Sequence, residues 1–405
     1  MPVRLVTNGK RSVPLRVLIA GGGVAALECA LALRHLAEER VDIELLAPET
    51  HFWYRPLAVV EPFGAAQLHG LELAQLAEAC GARFTLGALA SVDPQAHVAR
   101  TVVGAEVDYD TLMIAAGAKP VEAIPGALTF RGPADTDAFS AVLAELEDGL
   151  PHTLVFALPG AVSWPLPLYE LALQTAAHLR RRGRMGIELA IVTHEESPLA
   201  LFGARASEVV GSMLRESGVA FHPGRYVVEA GNGALSVIPP GEIPADRVVA
   251  LPRLVGNVIA GIPHDGDGFI PTDSYGRVSG LDDVFAAGDT TTFPIKQGGL
   301  AAQQADAAAQ VIAADAGAPA TPEPFRPVLR GLIMTGHSPA FIRTELTGGA
   351  GDTSVANAEP LWWPPGKIVG RYLAPFLAER AGIILDAGPA EGAPVDIRLP
   401  EPAKR

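Results

Sequence analysis

The sequence predicts an α/β fold, with two successive units of strand and helix around parallel sheets and a small C-terminal unit behind them. Three observations lead there. The chain opens strand, glycine turn, helix, strand, over residues 16–20, Gly21-Gly22-Gly23, 24–36 and 41–46. The same alternation begins again near Pro151. Two further apolar strands ending in glycine stand far apart, 111–115 ahead of Ala116-Gly117 and 284–287 ahead of Gly288-Asp289.

Each element has its own reason. Arg16-Val-Leu-Ile-Ala20 is a short apolar run of the length a buried parallel strand takes. Three glycines stop it, and with the helix to Leu36 and the strand 41–46 it forms a βαβ unit of ordinary length. A helix is expected over about 71–80, then several short strands over 83–109 around Asp93-Pro94 and Gly104. In the second unit, 154–158 reads as a buried strand, and 168–179 as a helix stopped by Arg180-Arg-Arg-Gly183. A strand over 187–193, a helix over 206–217 closed by Gly218, and strands within 219–238 and 247–251 complete it. Gly- and Asp-rich turns fill 261–280, and a long helix spans 299–315. A Pro-rich linker, 317–327, leads to the C-terminal unit with a helix near 369–380. The tail beyond Asp386 is rich in Ala, Gly, Pro and Glu and is expected to be loose.

Composition removes several classes of function. With 405 residues there is room for more than one core, and 49% hydrophobic against 19% charged residues excludes a wholly disordered chain. Lys plus Arg is 31 and Asp plus Glu is 45, a net charge of −14, which suits neither nucleic acid nor an anionic lipid surface. No run approaches the ~20 apolar residues of a spanning helix. The start, 1–14, lacks a secretory pattern, so the expected location is the cytoplasm, with contact at the inner face of the membrane left open. Cys29 and Cys80 are too few for a disulfide framework or a four-thiolate zinc site, and no metal site is expected.

The chemistry begins at Gly21-x-Gly23-x-x-Ala26. Between a strand and a helix, the first glycine makes the tight turn and the second lets the backbone approach a pyrophosphate. The small third residue lets the helix pack on the sheet, with the helix N-terminus facing the anion. The candidate cofactor residues here are Gly21, Gly23, Val24, Ala25 and Ala26. The acid that bonds a ribose hydroxyl belongs at the end of the second strand; that place falls on Ala47, and Glu49 is the substitute two residues on.

The distant motifs define the class. Tyr109-Asp110-Thr-Leu-Met-Ile-Ala-Ala116-Gly117 resembles the segment of two-dinucleotide flavoproteins where the chain leaves the flavin domain. Asp283-Val-Phe-Ala-Ala-Gly288-Asp289 resembles their second flavin motif, whose Asp bonds the ribityl and phosphate region. The resemblance narrows to sulfide:quinone oxidoreductases and type II NADH dehydrogenases. His51-Phe-Trp-Tyr-Arg55-Pro-Leu57 is similar to their segment along the flavin, and Pro294-Ile-Lys296-Gln297-Gly298-Gly299 to their segment at the flavin ring. This implies a glutathione-reductase-type architecture of two Rossmann-like dinucleotide-binding domains and FAD as cofactor. Arg55, Ala116, Gly117, Gly288, Asp289, Lys296 and Gln297 are then further cofactor residues. Lys296 would stabilise negative charge on the reduced ring. Tyr169-Glu170 matches a Tyr-Glu pair of the sulfide:quinone group, which makes both candidates near the flavin, Glu170 as a proton carrier.

Departures limit the resemblance. The sulfide:quinone cysteine ahead of the Tyr-Glu falls on Trp164, and Cys29 and Cys80 read as small buried residues, so no thiolate is on hand to carry sulfur. The second unit reads Pro159-Gly160-Ala-Val-Ser-Trp164-Pro165-Leu-Pro167 where a nicotinamide fingerprint would stand. Arg180–Arg182, His264-Asp265-Gly-Asp267 and His337 read as a helix end, a turn and a loop. Trp362-Trp363-Pro364-Pro365 and the amphipathic stretch after it leave a membrane, a groove and a homodimer face open. The expected organisation is a discontinuous FAD-binding domain (1–125 and 250–320), a degenerate NAD(P)-binding-like domain (126–249), a C-terminal domain (321–385) and the tail (386–405). The expected activity is FAD-dependent electron transfer with a small-molecule or quinone-like partner and no redox disulfide. An NAD(P)H:acceptor reductase and a non-catalytic flavin-binding partner protein are the alternatives.

Overall fold

The computed structural model describes residues 13–66, 69–149, 151–160, 162, 164–346 and 353–381. In chain order the principal elements begin with β1 (Leu15–Ala20), α1 (Val24–Ala37), β2 (Val41–Ala47), α2 (Leu73–Ala79), β3 (Arg83–Leu86) and β4 (Thr111–Ile114). Next come β5 (Leu128–Thr129), α3 (Thr136–Asp148), β6 (Thr153–Ala157), α4 (Leu166–Arg181), β7 (Glu188–Val192), α5 (Ala204–Ser217) and β8 (Val219–His222). Then follow β9 (Tyr226–Gly231), β10 (Ala234–Ile238), β11 (Arg247–Ala250), β12 (Val284–Ala286) and α6 (Gly298–Asp315). The last are β13 (Val328–Ile333), β14 (Ala340–Glu345), β15 (Val355–Asn357) and α7 (Leu373–Ala381).

The α/β class is observed. One sheet has the order β12-β4-β1-β2-β3 and a second β5-β11-β6-β7-β8, each of five strands. Every pairing in both is parallel. Parallel sheets are covered on both faces, which is why Val17, Ile19, Leu45, Leu112, Met113, Phe156 and Ile191 are all buried. β12 closes the first sheet from a position far along the chain, pairing Val284–Ala286 with Leu112–Ile114. α6 follows it and packs on α1. Both helices are rich in buried small residues, among them Ala25, Ala26 and Ala30 on one and Ala301, Ala305 and Ala308 on the other, which share one core cluster.

Three elements differ from expectation. The helix expected from about residue 71 starts at Leu73, because Leu71–Glu72 pairs antiparallel with His51–Phe52. Helix α3 was not foreseen, although Phe139, Val142, Leu143 and Leu146 are its buried residues at helical spacing. The helix expected from 369 starts at Leu373, because the chain before it is held by buried polar groups. The Ile368 N–H donates to the Tyr54 hydroxyl (2.8 Å), and Glu28, wholly buried on α1, accepts from the N–H groups of Tyr372 (3.0 Å) and Leu373 (2.7 Å). Gly370 is bare because a Cβ there would lie 2.3 Å from Glu28 Oε2. Burial pushes the Glu28 carboxyl up to about 7. The described residues 316–327 form no helix or strand, as a linker should, and the tail expected to be loose lies outside the described residues. No helix among the described residues is long and apolar enough to cross a membrane.

Candidate active site

The strands of the first sheet end in a set of glycines. Gly21 has φ +139°, donates its N–H to Leu46 O (2.8 Å), and a Cβ on it would lie 2.1 Å from Ala115 O. Only glycine makes this turn. Gly23 caps α1 in an extended conformation, and a Cβ there would meet nothing within 4 Å. Gly23 has no side chain to cap α1, so its first N–H groups are left without a capping bond from it. Val24, Ala25 and Ala26 form the first turn, with Ala26 fully buried against the sheet.

Gly288 brings the end of β12 to the same place. With φ +81°, a Cβ on it would stand 3.3 Å from Ala25 Cβ and 3.2 Å from Ala301 Cβ. Its N–H donates to buried Gln304 Oε1 (2.7 Å). Asp289 follows, and Thr290 Oγ1 is buried with no hydrogen-bond partner among the described residues. Ala116-Gly117 ends β4, where both carbonyls accept from Asn257 Nδ2 (3.1 and 3.2 Å).

Three charged candidates meet here. Burial raises the Asp289 carboxyl, while Lys296 and Arg55 act against that rise. Lys296 Nζ donates to the Thr291 carbonyl and stands 3.9 Å from the centre of the Phe269 ring. Burial lowers its ammonium to about 8, against the opposing pull of Asp289. Gln297 is committed otherwise: its Oε1 caps α6 through the Leu300 N–H (2.8 Å), and its Nε2 donates to Arg330 O (3.2 Å). Glu49 is exposed beyond the end of β2.

Tyr169 and Glu170, neighbours on α4, diverge. The Tyr169 hydroxyl donates to Glu195 Oε2 (2.6 Å), within the second sheet's own unit. Glu170 is buried and its Oε1 accepts from Lys367 Nζ and from the Met334 N–H (2.8 Å). Burial raises the Glu170 carboxyl and lowers the Lys367 ammonium, and their mutual attraction opposes both shifts. Sequence reasoning missed Lys367; the signal was a lone cation between Trp362-Trp363-Pro364-Pro365-Gly366 and Ile368-Val369.

The other candidates are structural. Arg180 and Arg181 donate to the carbonyls of Glu216 (3.3 Å) and Gly336 (2.9 Å), and Arg182 pairs with Glu147 (3.6 Å). Asp265 caps a turn through the N–H groups of Asp267 (3.0 Å) and Phe269 (2.8 Å), and His337 is an exposed loop residue. Cys29 and Cys80 are free and buried; burial pushes both thiols up, Cys80 to about 12. Neither is a nucleophile near neutral pH. Cys29→Ser and Cys80→Ser should therefore leave the protein's turnover essentially unchanged while lowering the melting temperature modestly. Lost turnover in a flavin-loaded variant would instead point to a thiol mechanism.

A parallel sheet with a glycine turn, a helix N-terminus without a side-chain cap and a Gly-Asp at its carboxyl edge is a dinucleotide-binding unit, and a second parallel sheet follows it; with the family match below, the class is a flavin-type oxidoreductase. The chain belongs to the family described as pyridine nucleotide-disulphide oxidoreductase, whose profile matches residues 15–156 and 170–310. The sulfide-quinone reductase of Aquifex aeolicus (strain VF5) is 26% identical over 263 residues, and the chain spans only 59% of that relative's length. The X-ray structure of the sulfide:quinone oxidoreductase from Aquifex aeolicus superposes with TM-score 0.76 at 20% identity, over 85% of this chain and 86% of that one. NDH2 from Plasmodium falciparum, in complex with NADH, superposes with TM-score 0.64 at 14% identity, over 83% and 92%. These two likenesses are of fold.

Proposed function

We propose that the chain binds FAD and passes electrons through it between a small donor and a flat, quinone-like acceptor, without a redox disulfide. The observation that carries this reading is the cradle of Gly21, Gly23 and Gly288-Asp289, whose bare glycine and orphaned Thr290 hydroxyl fit a dinucleotide with a polyol chain. The α1 N–H groups would hold the pyrophosphate and Glu49 the ribose. Asp289 would hold the polyol, and Arg55 and Lys296 the charge nearest it. FAD supplies two-electron redox chemistry at its isoalloxazine ring. The chain's own residues bind and orient it, and Glu170 Oε1 with Lys367 Nζ holds a proton in a buried pair. The relatives named for sulfide and quinone favour the acceptor class. The two buried cysteines argue against sulfide as donor. In this reading residues 1–125 and 250–320 make the flavin domain and 126–249 a second domain that has lost its nicotinamide fingerprint.

Two measurements test this. The purified protein should be yellow, and Asp289→Ala should weaken FAD retention by about 1.5–3 kcal/mol, the worth of a charged hydrogen bond, or roughly ten- to 150-fold. A colourless preparation that takes up no added FAD overturns the cofactor. Under anaerobic conditions, micromolar NADH or NADPH should leave the flavin oxidised while dithionite bleaches it. Each of Pro165 and Pro167 lacks an N–H where a pyrophosphate would need one. Rapid bleaching by either nucleotide overturns the donor reading in favour of an NAD(P)H:acceptor reductase.

A further inference from the structure

The second sheet retains the glycine and the acid of a nucleotide crevice, and the chain itself occupies both. In a βαβ unit the crevice lies at the carboxyl ends of the strands, beside the N-terminus of the intervening helix. It needs a bare glycine after the first strand, free N–H groups on the helix, and an acid at the end of the second strand.

The glycine is Gly160, past the end of β6. A Cβ built on it would lie 3.0 Å from Cδ1 and 3.4 Å from Cε1 of Tyr226, so an aromatic ring covers the backbone that a pyrophosphate would approach. Tyr226, the first residue of β9, stacks in turn on His194, with ring centres 5.6 Å apart and planes 19° apart. Burial lowers the His194 imidazole below its ordinary range, and its Nδ1 is buried with no partner among the described residues. The helix start is Pro165-Leu166-Pro167, which removes two donors. The acid is Glu195, beyond the end of β7. Its Oε2 accepts from the hydroxyls of Tyr169 (2.6 Å) and Thr193 (3.3 Å), and its Oε1 from the Ala200 N–H (3.2 Å). The family match stops at residue 156 and resumes at 170, so its break coincides with this crevice.

Tyr226 is 53% exposed. A ring that open is not placed there to fill a core. We propose that Tyr226 is a specificity-determining residue, which excludes adenine dinucleotides from this crevice by laying its own ring on Gly160. The proposal rests on the reading that NADH is not the donor, and deepens it by naming a group that, besides the two prolines, keeps NADH out.

The test titrates the flavin-loaded protein with ADP-ribose and with NADH by calorimetry, in the wild type, Tyr226→Phe, Tyr226→Ala and Tyr226→Val. The wild type and Tyr226→Phe should bind neither below millimolar concentration. Tyr226→Ala and Tyr226→Val should bind ADP-ribose at least tenfold more tightly than the wild type. The proposal is overturned if both small variants, folded and yellow, bind no more tightly than the wild type, or if Tyr226→Phe gains as much as they do. It is overturned equally if both small variants lose the folded state, since the ring is then a packing residue. Micromolar binding of NADH to the wild type overturns the donor reading itself, so the two failures are read in different arms.

Discussion

Gly21→Ala should give a strongly destabilised protein without flavin, whereas Gly23→Ala should give a protein of nearly wild-type stability without flavin. The two glycines lie in one turn, yet a methyl group meets different surroundings at each. At Gly21 it would be 2.1 Å from the carbonyl oxygen of Ala115, a backbone atom that no rotamer change can move, and φ is +139°. Strain at a φ of this kind costs roughly 1–3 kcal/mol, and overpacking adds roughly 1–3 kcal/mol. Together these take a large share of a total stability of about 5–15 kcal/mol. At Gly23 the methyl would meet no protein atom within 4 Å, and the conformation is one any residue adopts. The apoprotein should therefore melt within a few degrees of the wild-type apoprotein. The methyl would stand where the pyrophosphate must approach, at a cost of one or two charge-assisted hydrogen bonds of about 1.5–3 kcal/mol each. Flavin-to-protein absorbance ratio and thermal melting by circular dichroism read the two effects separately. A fully yellow Gly23→Ala protein would remove the pyrophosphate from this turn.

The second large effect is expected at Glu170 and Lys367, whose side chains are only 1% and 5% exposed. Removing one member leaves a buried charge without its partner, which costs about 3–5 kcal/mol. Glu170→Ala and Lys367→Ala should each lower the unfolding midpoint sharply. The double variant Glu170→Leu/Lys367→Met fills the same space with apolar groups and should recover most of that loss, since a buried ion pair is often replaceable at little net cost. Turnover with a quinone-like acceptor should be lost in all three. Wild-type turnover in the stable double variant would reduce the pair to a structural role.

Much of the fold and one half of the candidate site could be read from the sequence as expectations because they are written locally. A strand, a glycine turn and a helix are neighbours in the chain, so Gly21, Gly23 and Ala26 announced the first sheet. Gly288-Asp289 could be recognised at a distance because its spacing to the strand before it is itself local. The other half depends on residues far apart. Glu170 stood out by its Tyr-Glu motif, but its partner is 197 residues away, and no periodicity connects them. Gln297 has a different reason: a glutamine is an unusual helix cap, so its commitment to Leu300 and Arg330 was hidden behind a motif that suggested a cofactor contact. The late start of α7 follows from Tyr54 and Glu28, both from the first unit, taking up the N–H groups of residues 368, 372 and 373. The helix α3 was legible in principle, from Phe139, Val142, Leu143 and Leu146, and its acidic exterior concealed it.

The stretch from Lys367 to Leu373, joined to Glu170, Tyr54 and Glu28, has a consequence for biosynthesis. Translation at roughly 5–20 residues per second separates the two members of the buried pair by about 10–40 s. Once Ala286 has been made, a nascent chain has every strand of both parallel sheets, but until residues 367–373 follow it leaves three interior acceptors without these mates. Folding is therefore ordered in time: the turns at Gly21 and Gly288 can assemble early, and the contacts of Glu170, Tyr54 and Glu28 close only when residues 367–373 arrive. A ribosome stalled between the linker and Lys367 should hold a species that takes up FAD yet is readily cleaved by protease near α4 and Tyr54.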